Sequence, residues 1–374
     1  MTDPSITAIT MPKWGLTMTE GTVVGWLKQQ GQAFAEGEEI LEIETPKITN
    51  VVEASSAGTL RRIVAQPGAT LPVGGLLAVV AADEVPEAEI DTFVTGFAVP
   101  EPSSGEAAEA EGVKPRDIEV GGRRLRYLEL GEGDDVPVLL VHGFGADLNT
   151  WMFTQPALGA GRRALALDLP GHGGSAKEVG AGDPEGLTDA VEGVLEALGI
   201  ARVHLIGHSM GGAIAALAAV RRPGRVASLT LIASAGLGPE INASFIDGFV
   251  RASRRREATE VLGLLVDDPA LVSRTMVEDV LRYKRLDGVS AALAKIAEAW
   301  FAGGRQSPDL TGRIAMLAMP VQLVWGRNDR VIPVAHAEAL AGRLPVHILD
   351  AVGHLPHMEK AAEVNRLIGQ FIGG

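Results

Sequence analysis

The sequence predicts a multidomain chain: a small all-β unit, then an α/β unit with a parallel sheet covered on both faces and a helical cap. Three observations predict it. Glycines and apolar residues repeat at a fixed offset within the first 82 residues. A Glu/Ala/Pro-rich stretch follows. From about residue 117 onward, strand-like and helix-like runs alternate.

Residues 1–82 are rich in Val, Ile, Thr and Gly in short alternating runs, the pattern of small β structure. Gly21-Thr22 recurs 37 residues on as Gly58-Thr59, Gly31 as Gly68 and Gly37 as Gly74. Trp26, Leu27, Ile40 and Ile43 recur at the same offset as Ile63, Val64, Leu77 and Val80. Repeated glycines at matching places predict matching turns with positive φ, and two equivalent β units sharing one core. In 44-ETPKIT-49, Lys47 falls between the units, at the tip of the hairpin that joins them.

Residues 83–116 read as a linker, dominated by Glu, Ala and Pro in 99-VPEPSSGEAAEAEGVKP-115. Within it, Ile90, Phe93, Val94 and Phe97 fall at helical spacing. That spacing predicts a short helix packed on its own domain; a docking segment for another subunit is the alternative.

Residues 117–374 form the α/β unit. Strand candidates are 137-PVLLVHG-143, 163-RALALDL-169, 202-RVHLIGH-208, 228-SLTLIAS-234, 321-VQLVWG-326 and 346-VHILDA-351. Near-continuous apolar strands separated by helical patterns imply a parallel sheet with both faces covered. Residues from about 237 to 312 break the rhythm with successive helices and read as a cap over one end of the sheet.

Composition narrows the function. The formal net charge of −14 argues against nucleic acid or an anionic membrane surface as a partner. The absence of cysteine excludes disulfides and thiolate zinc sites, and fits a reducing, cytoplasmic compartment. MTDPSITAIT has no signal-peptide pattern, and no apolar run is long enough to span a membrane. No metal site is expected.

The chemistry concentrates in 207-GHSMG-211, a Gly-x-Ser-x-Gly pentapeptide between a strand and a helix. Small residues must flank Ser209 because the turn is tight and strained. A serine hydroxyl needs a base to become a nucleophile at neutral pH. His354, after the last strand in 351-AVGHLPHMEK-360, is best placed, with His357 as its rival. Asp329, after the strand 321-VQLVWG-326, is the acid that would fix the tautomer; Asp350 and Asp168 are alternatives. The oxyanion of an acyl-transfer intermediate needs backbone donors. The N–H of Phe144, in 142-HGFG-145, and that of Met210, at a helix N-terminus, are the candidates. The basic cluster 251-RASRRR-256 in the cap is either a solvated helix face or a phosphate-binding element.

The order Ser209, Asp329, His354, with these motifs, resembles the α/β-hydrolase family over roughly residues 117–374. That family includes esterases, thioesterases and acyltransferases, so the fold alone leaves the reaction open. The N-terminal region resembles a lipoyl domain, a biotinyl/lipoyl-like flattened barrel, on 10-TMPKWGLTMTEGTVVGWL-27, 36-EGEEILEIETPKIT-49 and the glycine repeat. Lys47 takes the place of the lipoylated lysine, with Pro46 where the family has Asp or a small polar residue. The combination resembles the E2 components of acetoin dehydrogenase complexes. The His-x-x-x-Asp motif of the common E2 acyltransferase core is absent from the sequence.

That resemblance implies lipoate on Lys47 and acetyl transfer from the lipoyl arm to coenzyme A through Ser209, His354 and Asp329. It implies a thiamine-diphosphate E1 and a flavoprotein E3 as partners, in a homo-oligomeric component. A serine thioesterase or esterase that carries a lipoyl domain is the alternative.

Overall fold

The computed structural model describes residues 6–12, 14, 18, 20–45, 49–97 and 113–373. Its N-terminal part holds strands β1 (Ile6–Thr10), β2 (Glu20–Trp26), β3 (Ala33–Phe34), β4 (Glu39–Glu44), β5 (Thr49–Glu53), β6 (Gly58–Ile63), β7 (Thr70–Pro72) and β8 (Leu76–Ala81). They form two four-stranded sheets, in the orders β1-β8-β6-β3 and β5-β4-β2-β7. The 37-residue repeat explains this arrangement. It carries β2, β3 and β4 onto β6, β7 and β8, so each sheet draws strands from both halves and the repeat exchanges the sheets. Met11, Val23, Leu41, Ile43, Leu60 and Leu77 fill the shared core.

The repeated glycines do two jobs. Gly31, Gly68, Gly37 and Gly74 take φ of 86°, 88°, 80° and 80°, the turn conformation that glycine adopts without strain. Gly21 and Gly58 instead leave room for packing. A Cβ on Gly21 would lie 2.7 Å from Met11 Sδ, and one on Gly58 would lie 2.4 Å from Val80 Cγ1.

The helix α1 (Glu87–Gly96) follows, inside the stretch read as linker. Ile90 is buried among Leu76, Val79, Ala81 and Val85, with Phe93, Val94 and Phe97 packed around it. Arg62 on β6 pairs with Glu87 at 2.7 Å and Asp91 at 2.8 Å. The apolar stripe seals the open face of one sheet, so this part of the 83–116 segment belongs to the small unit. Residues 98–112 lie outside the described residues.

The larger unit begins at Val113. Its strands are β9 (Arg116–Val120), β10 (Arg123–Leu130), β11 (Val138–Val141), β12 (Ala164–Leu167), β13 (Val203–His208), β14 (Val226–Ile232), β15 (Val321–Gly326) and β16 (Val346–Leu349). They form one sheet, ordered β16-β15-β14-β13-β11-β12-β10-β9. The six strands from β11 to β16 pair in parallel, and β11 to β15 are buried throughout, as a doubly covered sheet requires. The antiparallel edge hairpin β9–β10 was not among the strand candidates. Its charged, alternating RDIEV and RRLRYLEL suit an edge with one solvated face.

Helices α2 (Pro184–Ala197) and α3 (Met210–Arg221) cover the sheet. Asp183 caps α2, its side chain accepting from Gly186 N–H, and Pro184 sits at the first position where no N–H is needed. Between β14 and β15 come α4 (Ala243–Arg251), α5 (Arg255–Leu262), α6 (Arg274–Lys284) and α7 (Val289–Phe301), and α8 (Ala361–Gly373) ends the described chain.

One feature of the sheet places the site. β11 has β12 on one side and β13 on the other, so the strand order reverses there. Loops leaving the carboxyl ends of β11 and β13 diverge, and that divergence opens a crevice in folds of this kind.

Candidate active site

Ser209 follows β13 directly and holds φ 52° and ψ −122°. For a non-glycine residue this is strained backbone, costing about 1–3 kcal/mol. Neighbouring bonds hold it: Ser209 N–H donates to Ile232 O at 3.0 Å, and Ala235 N–H donates to Ser209 O at 2.9 Å. The flanking glycines are sterically required. A Cβ on Gly207 would stand 2.3 Å from Gly211 O, and one on Gly211 would stand 2.2 Å from Val141 O. The elbow therefore packs against the carbonyls that end β11, which only glycine permits.

His354 and Asp329 come together at the same edge of the sheet. His354 Nδ1 lies 2.8 Å from Asp329 Oδ2, and both side chains are buried. Asp329 Oδ1 accepts from Val331 N–H at 2.8 Å and Ile332 N–H at 2.9 Å. A carboxylate with one oxygen fixed by two backbone donors presents the other in a defined direction. With Nδ1 on the carboxylate, Nε2 is the nitrogen left for proton transfer.

The alternatives are occupied elsewhere. Asp350 is a surface residue paired with Arg327. Asp168 is fully buried; its carboxylate accepts from Leu148 N–H, Gly174 N–H and Arg126 Nε, which orders the loop after β12. His357 contacts Thr150 Oγ1 at 3.1 Å through Nε2, and burial pushes its pKa down to about 3.

The stretch 142-HGFG-145 follows β11. Among the described residues, neither the N–H of Phe144 nor that of Met210 has a protein acceptor. Two buried histidines shape this loop. His142 Nδ1 donates to Gly143 O at 2.8 Å, and its Nε2 accepts from Leu169 N–H. His172 Nε2 accepts from Gly145 N–H at 3.1 Å, and its Nδ1 donates to Pro170 O. Burial lowers both pKa values, keeping the rings neutral so that each can donate and accept. Residue type and spacing do not mark His172 for this role, although it lies near Asp168 in 168-DLPGHGGS-175.

The cap contributes aromatic rings above the loop. Phe144 packs edge-on against Phe249 of α4 and Phe301 of α7, each with ring centroids 5.8 Å away. A Cβ on Gly145 would lie 2.3 Å from Phe249 Cε1. The basic cluster of the cap is largely neutralised by carboxylates: Arg251 pairs with Asp247, Arg255 with Glu278 and Arg256 with Glu260.

Lys47 lies outside the described residues. The strands on either side of it pair antiparallel, Glu44 opposite Thr49. No described helix is long and apolar enough to cross a membrane, and no described cluster of His, Asp and Glu could hold a metal ion.

Comparison with known proteins gives the same division of the chain. Residues 136–361 match the family described as the alpha/beta hydrolase fold, and residues 7–80 match the family described as biotin-requiring enzymes. A crystal structure of a bacterial membrane phospholipase A is 30% identical, with a TM-score of 0.61, over 72% of this chain and 90% of that one. The chain is thus a biotinyl/lipoyl-type domain joined to an α/β-hydrolase-fold domain. The dihydrolipoyllysine-residue acetyltransferase component of the acetoin cleaving system of Pseudomonas putida is 49% identical over 98% of both chains. Its counterpart from Cupriavidus necator is 44% identical over 99% of this chain and 98% of that protein. The chain belongs to this acetyltransferase-component family, in agreement with the resemblance drawn from the sequence.

Proposed function

We propose that the chain transfers an acetyl group from a lipoyl thioester to coenzyme A in an acetoin-cleaving complex, through an acyl-serine at Ser209. The observation that carries this reading is the strained Ser209 at the end of β13, together with the His354–Asp329 pair and the two unengaged amides of Phe144 and Met210.

Lys47 is the proposed lipoyl attachment site. The hairpin fits such a group: β4 and β5 pair up to Glu44 and Thr49, leaving a short connection around one primary amine. A lipoyl group amide-linked there would supply two thiols, one of which carries the acyl group as a thioester.

The roles of the chain's own residues follow from geometry. Asp329 fixes His354 with its proton on Nδ1, so Nε2 takes the proton from Ser209 Oγ. Oγ attacks the thioester carbonyl, and the amides of Phe144 and Met210 hold the oxyanion. The imidazolium returns its proton to the departing thiol, leaving acetyl on Ser209. His354 then deprotonates the coenzyme A thiol, which attacks the acetyl-serine; the proton passes back to Oγ. Transfer instead of hydrolysis requires that water be kept away. The buried rings of Phe144, Phe249 and Phe301 supply apolar cover over the oxyanion loop.

In this reading the partners are a thiamine-diphosphate E1 and a flavoprotein E3, in the cytoplasm, with the component working as a homo-oligomer. The test is turnover of acetyl-dihydrolipoamide with and without coenzyme A. With coenzyme A, acetyl-coenzyme A is expected as the main product; without it, hydrolysis is expected to be slow. Fast hydrolysis indifferent to coenzyme A would instead make the chain a thioesterase carrying a lipoyl domain.

A further inference from the structure

The histidine and the aspartate both sit on loops, which regular hydrogen bonding does not hold in place. Both loops are fastened to one stretch of the cap, Gly263–Asp267, directly after α5. On the histidine side, His354 N–H donates to Leu265 O at 2.7 Å. A Cβ on Gly353 would lie 2.6 Å from Val266 C and 2.7 Å from Asp267 N, so only glycine lets the loop come this close. On the aspartate side, the Arg330 guanidinium donates to the carbonyls of Gly263 and Val266. Asn328 Nδ2 donates to Asp267 Oδ1 at 2.8 Å.

At the junction lies one largely buried carboxylate that the proposed chemistry does not use. Glu359 Oε1 accepts from Gly353 N–H at 3.0 Å and Leu355 N–H at 3.2 Å, the residues on either side of His354. Glu359 Oε2 accepts from Asp267 N–H at 2.7 Å and from Gly353 N–H at 3.1 Å. A buried carboxylate is costly unless its lone pairs are satisfied, and here backbone donors from two separate segments satisfy them. No hydrogen bond joins Glu359 to the His354 ring, to Asp329 or to Ser209 among the described residues.

We infer that Glu359 is a positioning residue that locks the histidine loop to the cap segment Gly263–Asp267, so that seating the cap and aligning His354 on Asp329 are one event. The inference rests on the roles proposed above for His354 and Asp329. An error of about 1 Å in a catalytic group can lower the rate roughly a hundredfold, so a clamp acting through the backbone has kinetic weight.

The test uses the full chain and p-nitrophenyl acetate, a small ester that reads the serine chemistry whatever the natural acyl donor. Glu359→Ala is expected to lower kcat roughly a hundredfold with little change in KM. The downfield proton resonance of the His354–Asp329 hydrogen bond should shift or broaden in this variant, and should be absent in Asp329→Asn. Glu359→Gln keeps one oxygen, which can serve two of the donors, and is expected to fall between wild type and Glu359→Ala. This second variant also carries the test if Glu359→Ala does not fold. His354→Ala is the control. If it is inactive while both Glu359 variants keep the wild-type kcat and resonance, the inference is wrong. If His354→Ala stays active, the assignment of the site has failed instead.

Discussion

The two units prepare their proposed functional residues by opposite routes. The small unit uses repetition: equivalent half-motifs exchange strands between two sheets, and in the sequence one lysine falls between the paired ends of β4 and β5. Its repeated turn glycines serve backbone conformation, with φ near 80–88° at Gly31, Gly37, Gly68 and Gly74. The large unit uses convergence: loops after β11, β13, β15 and β16 meet at one edge of a sheet. Its elbow glycines serve close approach, because main-chain carbonyls occupy the space a side chain would need. A carrier needs an accessible amine on a stable hairpin, whereas a catalytic site needs several groups fixed together. The same residue type therefore has different physical work in each unit.

The largest expected effect separates the units by function. Protein produced with an active lipoate ligase should gain one lipoyl adduct in intact mass, and Lys47→Arg should lose it completely. An adduct that persists in Lys47→Arg would break the assignment of the small unit as the carrier.

The two kinds of glycine should also differ in what they contribute to stability. Gly211→Ala would place a methyl carbon 2.2 Å from Val141 O and 2.3 Å from His142 O, and overpacking against rigid backbone costs about 3 kcal/mol. Gly37→Ala meets nothing within 4 Å and pays only for its positive φ, about 1–2 kcal/mol. Chemical denaturation of the two full-length variants should rank them in that order, each change falling on the transition of its own unit.

The third expectation is an acid response confined to the large unit. All eight histidines lie from His142 onward. Burial pushes His357 down to about 3 and, with nearby Arg162 and Arg202, His204 to about 4; it also lowers His142, His172 and His208. A folded pKa below the unfolded one means that the unfolded chain binds more protons between the two values. Stability should therefore fall as pH drops below about 6.5, with a slope of at most about 1.4 kcal/mol per pH unit for each such histidine. Calorimetry at pH 7 and pH 5 should lower the unfolding temperature of the large unit and leave that of the small unit nearly unchanged. Equal shifts in both would contradict the histidine origin.

Much of this division was legible in the sequence because it is written as periodicity. The offset of 37 marked the three glycine pairs and the lysine between the two half-motifs. Near-continuous apolar runs marked the parallel strands, and Gly-x-Ser-x-Gly marked the elbow. The stripe Ile90, Phe93, Val94 and Phe97 announced a helix, but composition pulled it into the linker, since Pro and Glu flank it on both sides. The clamp was not legible. Glu359 lies within the motif that pointed to His354, yet its partners include a backbone N–H 92 residues away. Hydrogen bonds to main chain leave no mark in residue type, and for the same reason neither His172 nor Arg330 was singled out.

Ser209 is proposed to carry the acyl group on its way to coenzyme A. The most direct measurement mixes the protein with acetyl-dihydrolipoamide in the absence of coenzyme A, quenches within one turnover and locates acetyl groups by peptide mass spectrometry. Acetyl is expected on the peptide containing Ser209, discharged as acetyl-coenzyme A when coenzyme A is added, at least as fast as steady-state turnover. Absence of acetyl-Ser209, together with near wild-type transfer by Ser209→Ala, would contradict it and leave direct attack by the coenzyme A thiol as the route.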